Sequence, residues 1–234
     1  MATNYNPRIV TDGLVLCLDA GNTKSYPGPL PVAGWYDLSG NGNNGSLVNG
    51  VGYDGGSGGS LVFDGTNQTI LVTKPNPNIS GYITMNVWVK FNNLTDTVII
   101  HKGLHYSFKI RLISGTYYWS YADSSNYSYA SFSYRAVSGL YQVNTWMNLT
   151  VIKETNNDVK LYKNGLLLDT RTSFGSALTA TDTTLWLSGY SDTDNLPGTN
   201  LLNGNIAQVS IYNRALTAAE VQQNFNATRS RYGI

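Results

Sequence analysis

Val159-Lys160-Leu161-Tyr162-Lys163, then Asn164-Gly165, then Leu166-Leu167-Leu168 reads as two strands and the two residues that join them. Asn-Gly accepts positive φ at both positions, which a type I′ turn needs. Strand signals of this kind recur along the chain. Apolar or alternating runs lie at 14–18, 60–63, 69–73, 83–91, 98–101 and 108–113. Further runs lie at 117–121, 146–153, 159–163, 166–171, 185–188 and 206–212, with turn residues between nearly all of them. Many short strands at this spacing predict an all-β sandwich or barrel.

Composition agrees. Only 12% of the 234 residues are charged, about half the ~25% usual in soluble domains. Solubility therefore rests on neutral polar groups: 26 Asn, 23 Thr and 21 Ser. Two Glu against 17 Tyr and 24 Gly argue against a helical protein. One helix is nonetheless signalled. Thr217-Ala218-Ala219-Glu220 has the form of a capping box, and Val221 and Phe225 then fall one turn apart on a single face. A net charge of +1 gives no electrostatic case for nucleic acid or for a membrane surface. No apolar run approaches the length of a membrane helix. The polar start, Met1 to Arg8, lacks the apolar segment of a secretory signal. The single cysteine, Cys17, excludes an internal disulfide and a cysteine metal site, and its apolar neighbours predict a buried small hydrophobe.

The Gly-rich stretch from Ser39 to Ser60 follows Trp35 and precedes a strand signal, so an ordered excursion within one domain is expected. Its two G-x-G-x-x-G matches and one G-x-S-x-G match open no helix, and so lack the context that phosphate binding or a nucleophile elbow requires. The domain is expected to span 13–228, with an N-terminal arm at 1–12 and a C-terminal tail at 229–234.

Chemistry-bearing residues are sparse. His101 and His105 have Gly103 between them and no Glu, which does not fit a helical zinc site. Glycoside hydrolysis needs two carboxyls across one sugar, and the one i, i+2 acidic pair is Asp192 with Asp194 in a loop. Calcium suits oxygen-rich loops better. Asp37 with Asn41, and Asp192 with Asp194, are tentative calcium donors, with Asx turns as the alternative. Seven N-x-[ST] sequons match the chance level for this composition.

The most unusual local feature is aromatic. Tyr117, Trp119 and Tyr121 alternate and so share one sheet face, with Tyr127 and Tyr129 close behind among Ser and Asn residues. Rings stack on sugar faces while hydroxyls and amides bind sugar hydroxyls, so these five residues are candidates for a glycan contact. The same composition suits a subunit interface or a sandwich core.

Several segments together resemble a known family. They are Ser60-Leu61-Val62-Phe63-Asp64-Gly65, Met85-Asn86-Val87-Trp88-Val89-Lys90, Ile99-Ile100-His101-Lys102-Gly103 and Trp146-Met147-Asn148-Leu149-Thr150. The hairpin already quoted and Ile206-Ala207-Gln208-Val209-Ser210-Ile211-Tyr212-Asn213-Arg214-Ala215-Leu216 complete the set. Their order is similar to that in laminin-G-like domains of the concanavalin-A-like lectin/glucanase superfamily. The resemblance implies a jelly-roll sandwich of two antiparallel sheets with one short C-terminal helix. The opening, from Gly13 to Asn43, and the ending, from Asn224 to Ile234, resemble a subgroup of tailed-phage structural proteins, especially marine ones. Two departures stand out. Ala207 and Gln208 replace the family's acidic pair, and the Glu-rich strand motif of the glucanases is absent. The resemblance thus implies a non-enzymatic virion surface protein, in capsid decoration or a fibre. Its expected partners are other virion proteins, copies of itself and a host-surface glycan. A secreted carbohydrate-binding module or cryptic glycosidase is the alternative.

Overall fold

A computed structural model describes residues 8–28, 34–72, 82–93, 97–102, 106–113, 116–122, 135–136, 142–155, 158–172, 184–189 and 200–234. Among these the chain forms β1 (Leu14–Asp19), β2 (Gly34–Trp35), β3 (Gly45–Val48), β4 (Gly52–Asp54), β5 (Ser60–Asp64) and β6 (Thr69–Val72). It continues through β7 (Ile83–Phe91), β8 (Thr97–Lys102), β9 (Tyr106–Ile113), β10 (Thr116–Ala122) and β11 (Arg135–Ala136). Then come β12 (Met147–Lys153), β13 (Val159–Lys163), β14 (Leu166–Arg171), β15 (Leu185–Leu187), β16 (Asn203–Tyr212) and α1 (Ala218–Thr228).

The strands make two antiparallel sheets. One runs β14-β13-β12-β7-β16-β5-β4, with β1 also paired to β16; the other runs β11-β10-β9-β8-β15-β6-β3-β2. This is the expected two-sheet jelly roll with one short C-terminal helix. Asn164 and Gly165 take φ of 52° and 77°, so the β13–β14 hairpin has the positive-φ pair its sequence requires. The Gly-rich stretch is ordered and crosses the sandwich: β3 joins one sheet and β4 the other. At its end, a Cβ on Gly59 would stand 2.7 Å from the Ala20 carbonyl oxygen, and φ there is +104°, so only glycine lets the two segments meet.

Strand β16 organises the first sheet. β7 pairs along its length, while β5 pairs with Asn203–Ile206 and β1 with Gln208–Tyr212. The register with β7 shifts between Ile206 and Gln208, a bulge that resets the alternation at Ala207. Ile206, Val209 and Ile211 then face the core with Met85, Val87, Val89, Leu149 and Val151.

The outer face of this sheet is covered as well. Helix α1 begins at Thr217, whose hydroxyl accepts from the Glu220 N–H while the Glu220 carboxylate accepts from the Thr217 N–H. Its Val221 packs with Ile152, Tyr162 and Tyr212, and its Phe225 with Trp88, Trp146 and Tyr232. Polar groups beneath the helix satisfy one another. Asn86 donates to Asn148 at 3.0 Å and to Thr150 at 2.6 Å, and Asn148 returns a bond at 3.2 Å. The end of the arm is held likewise. Asn224 accepts from the Val10 N–H at 2.8 Å, and Tyr212 donates to the Val10 carbonyl at 3.0 Å.

The last residues are packed into the domain rather than trailing from it. Arg229–Tyr232 form a 3-10 turn. Tyr232 stacks on Trp88 with ring centroids 3.9 Å apart, and Arg231 grips both oxygens of Asp19 at 2.8 and 3.0 Å. The Tyr232 hydroxyl is buried without a hydrogen-bond partner. Tyr232→Phe should therefore leave stability unchanged or raise it by about 1 kcal/mol, because it removes an uncompensated polar group. Tyr232→Ala should lose about 3–5 kcal/mol. Urea unfolding of the two variants measures both.

A second prediction concerns acid. The Arg214 guanidinium, bonded to both Glu220 oxygens, holds the Glu220 carboxyl at about 2 against an ordinary 4.5, with the Thr217 bonds adding to the effect. A depressed carboxyl stabilises the fold above its unfolded value, and that contribution fades as pH falls from about 5 towards 2. Glu220→Gln should lose about 1 kcal/mol at neutral pH and show a flatter fall of urea midpoint over that acid range.

Candidate functional site

Strand β10 lies next to the edge of the second sheet, between β9 and β11. In its register with β9, Tyr117 stands opposite Leu112, Trp119 opposite Ile110 and Tyr121 opposite Phe108. Phe108 in turn stands opposite Ile100, Ile100 opposite Leu187, and Leu187 opposite Ile70. Residues directly opposite in antiparallel strands share a sheet face. Ile70, Ile100 and Leu187 belong to the inter-sheet core. The register therefore places Tyr117, Trp119 and Tyr121 in rows on the inner side of the second sheet, and Tyr118 in a row of the other side with Arg111. The inner side is where a sandwich has either core or a concave groove. Tyr127 and Tyr129 lie outside the described residues.

The first tentative calcium loop has a definite job of its own. Both oxygens of Asp37 are acceptors inside the loop. Oδ1 takes the N–H of Cys17 at 2.8 Å and of Ser39 at 2.9 Å. Oδ2 takes the Ser39 hydroxyl at 2.7 Å and the Asn43 N–H at 3.0 Å. A carboxylate has about four lone-pair sites, and all four are used. Asn41 turns its amide N–H group to the Leu14 carbonyl at 3.2 Å and to the Ser39 hydroxyl at 2.9 Å. The Asx-turn reading describes this loop. Asp37 pins it to β1 and offers no open oxygen to a cation. Asp192 and Asp194 lie outside the described residues.

The other described acids are also engaged. Asp12 and Glu220 meet Arg214, Asp19 meets Arg231, and Glu154 meets Lys160. Asp54 and Asp64 accept from the N–H groups of Gly56 and Thr66 in tight turns. Among the described residues no group of three His, Cys, Asp or Glu side chains is placed to hold a metal. His101 is buried in β8 opposite Trp186, and His105 lies outside the described residues. Burial, with Asp19 and Asp37 nearby, pushes the Cys17 thiol up to about 12, so it is a neutral packing group. Neither the Asp37 cradle nor the Arg231–Asp19 clamp was legible from spacing, because the Cys17 N–H that completes the first and the Asp19 carboxylate of the second are distant in sequence.

Comparison with known proteins follows the fold. The family model described as the concanavalin A-like lectin/glucanases superfamily matches residues 63–222. No match in sequence is found among curated proteins. Among solved structures, the binding domain of Paraclostridial Mosquitocidal Protein 1 is similar at TM-score 0.66 and 21% identity, over 93% of this chain and 52% of that one. Domain 4 of AbnA, a GH43 extracellular arabinanase from Geobacillus stearothermophilus solved in complex with arabinotriose, is similar at TM-score 0.66 and 18% identity. That likeness covers 90% of this chain and 97% of the domain. A botulinum neurotoxin type C structure, from a toxin whose cell entry depends on two ganglioside molecules, is similar at TM-score 0.64 and 17% identity, over 94% and 52%. The chain thus spans about half the length of the toxin domains it resembles.

Asp37→Asn should cost about 1–3 kcal/mol, because an amide N–H group would then face N–H donors in the loop. The measurement is thermal unfolding at neutral pH, with Asp64→Asn, whose acid closes an exposed turn, as the weaker comparison.

Proposed function

This chain belongs to the concanavalin A-like lectin/glucanases superfamily, and from that premise we propose that it is a non-enzymatic glycan-binding domain carried on a virion surface. The observation that carries glycan binding is the nearly complete mutual coverage with Domain 4 of the arabinanase, a domain solved with an arabino-oligosaccharide. The toxin relatives add binding domains of the same fold, one from a toxin whose cell entry involves gangliosides. The absence of the glucanase Glu-rich motif supports binding without cleavage, as does the engagement of the described carboxylates in ion pairs and turns.

The proposed contact is the β10 row, Tyr117, Trp119 and Tyr121, with Tyr127 and Tyr129 from the following segment. A row of alternating aromatics beside a sheet edge offers successive stacking platforms, and the surrounding Ser and Asn residues offer bonds to sugar hydroxyls. The virion setting rests on the resemblance of the opening and ending segments to tailed-phage structural proteins. A second reading, a carbohydrate-binding module of an extracellular glycanase, is favoured by the same Domain 4 likeness. Self-association is part of the proposal. Edge strand β14 leaves Leu166 and Leu167 68% and 54% exposed, which suits a contact between copies. Asp192 and Asp194 are the calcium donors of this proposal.

The test is a glycan array, followed by titration of arabino-oligosaccharides and ganglioside-type glycans, with and without a chelator. The double variant Trp119→Ala, Tyr121→Ala should bind at least about tenfold more weakly, the equivalent of about 1.4 kcal/mol. A folded variant that binds as the original does would remove the β10 row. A protein that binds no glycan would sink the reading as a whole. Light scattering on the same samples reads self-association. Immunogold labelling of phage particles separates the virion reading from the glycanase module.

A further inference from the structure

Where the N-terminal segment crosses the outer face of the first sheet, it leaves a hollow of about 460 Å³. That is within the ~300–1,000 Å³ range of small-molecule sites. Cys17 and Gln208 form its floor, on outer-face positions of β1 and β16. Arg231 and the end of α1 form one wall, and Arg8, Ile9 and Leu14 the other.

Most of the polar groups here are already used. Asp19, the cross-strand neighbour of Gln208, accepts from Arg231 twice and from the Gly21 N–H. The Thr228 hydroxyl accepts from Trp88 and donates to the Asn224 carbonyl. Gln208 is the exception. It is 5% exposed, yet its side-chain amide makes no hydrogen bond among the described residues, whereas the buried Asn86, Asn148 and Asn224 side chains on the same face are all bonded. An amide that lines the hollow and bonds no described residue is open to a partner there. Arg8 is the second unspent group. It is exposed, and its guanidinium meets no carboxylate among the described residues.

These two groups define the ligand chemistry. A primary amide both donates and accepts, and its natural counterpart is another amide. The guanidinium calls for a carboxylate. With Arg231 neutralised by Asp19, the lining carries a net positive charge from Arg8. Ile9, Leu14 and Ala227 supply apolar contact, and among the described residues no aromatic ring lines the hollow. We propose that this hollow binds a small carboxylate bearing an acylamino group, with the acylamino group paired to Gln208 and the carboxylate to Arg8. Two sources share this chemistry: an N-acetylated acidic sugar and an N-acylated amino acid. The site is separate from the β10 row and does not depend on it.

The test follows the Gln208 side-chain N–H₂ resonance by NMR during titration with N-acetylneuraminate and with N-acetyl-leucine. Acetate and acetamide serve as half-ligands. The expected result is a saturable shift with one of the full compounds, with Kd below about 1 mM, and at least about tenfold weaker binding of either half. Arg8→Ala, on an exposed side chain, should weaken the full compound about tenfold. Gln208→Leu should abolish the binding, followed then by the backbone resonances of Ala227 and Thr228. Response to the sugar acid alone assigns the first source, and response to the amino acid alone assigns the second. No saturable shift with either compound, or binding that survives both substitutions unchanged, overturns the proposal.

Discussion

The central strands of the first sheet, β7, β12 and β16, are buried on both faces, and the rest of the structure follows from that constraint. One face meets the second sheet, and the other meets α1 and the final 3-10 turn. A sheet covered once can leave its alternate residues to water. These central strands cannot, so most polar residues on their outer face take partners from the sheet or from what covers it. Asn86, Asn148 and Thr150 pair with one another, Tyr212 and Asn224 tie the N-terminal arm to the helix, and Trp88 bonds Thr228 while stacking on Tyr232. The helix is short and has a modest apolar face. It stays because a capping box starts it, an ion pair to Arg214 anchors that start, and the Trp88 stack closes its end.

Much of this was legible in the sequence where a local rule governs a local geometry. Asn164-Gly165 fixed a hairpin because only residues tolerant of positive φ suit that turn. Thr217 and Glu220 fixed a helix start because their bonds close within three residues. Strands β3 and β4 were not legible. Their Gly, Ser and Asp residues have low strand propensity, and they become strands because β6 and β5 present partners to them. The C-terminal residues were expected as a tail for a related reason. Nothing near Arg231 and Tyr232 in sequence reveals Asp19 and Trp88, 212 and 144 residues away in numbering.

The site is harder to read than the fold, because side-chain roles depend on distant partners. Asp37 in an Asp-Leu-Ser-Gly-Asn-Gly run has the look of a cation loop, yet one of its four donors is the Cys17 N–H from β1. That bond turns an open carboxylate into a structural pin. Alternation groups Tyr117, Trp119 and Tyr121, but it does not say which side of a sheet a row occupies. Pairing through β9, β8 and β15 does, and it assigns these positions to the side that carries the core.

The bulge at Ala207 links the family's departures to the hollow on the outer face. Without a shift there, the alternation from Ile206 would point residue 208 into the core and residues 207 and 209 outwards. The shift keeps Ile206 and Val209 both inward and turns Gln208 out beside Asp19. An acid at position 208 would stand across from the Asp19 carboxylate and compete with it for Arg231. A neutral amide leaves the Arg231–Asp19 clamp intact, and with it the packing of the C-terminal turn against Trp88. Gln208 is thus compatible with the clamp but unused by it. An amide that lines the hollow and bonds no described residue is one that a ligand can engage at no cost to the fold.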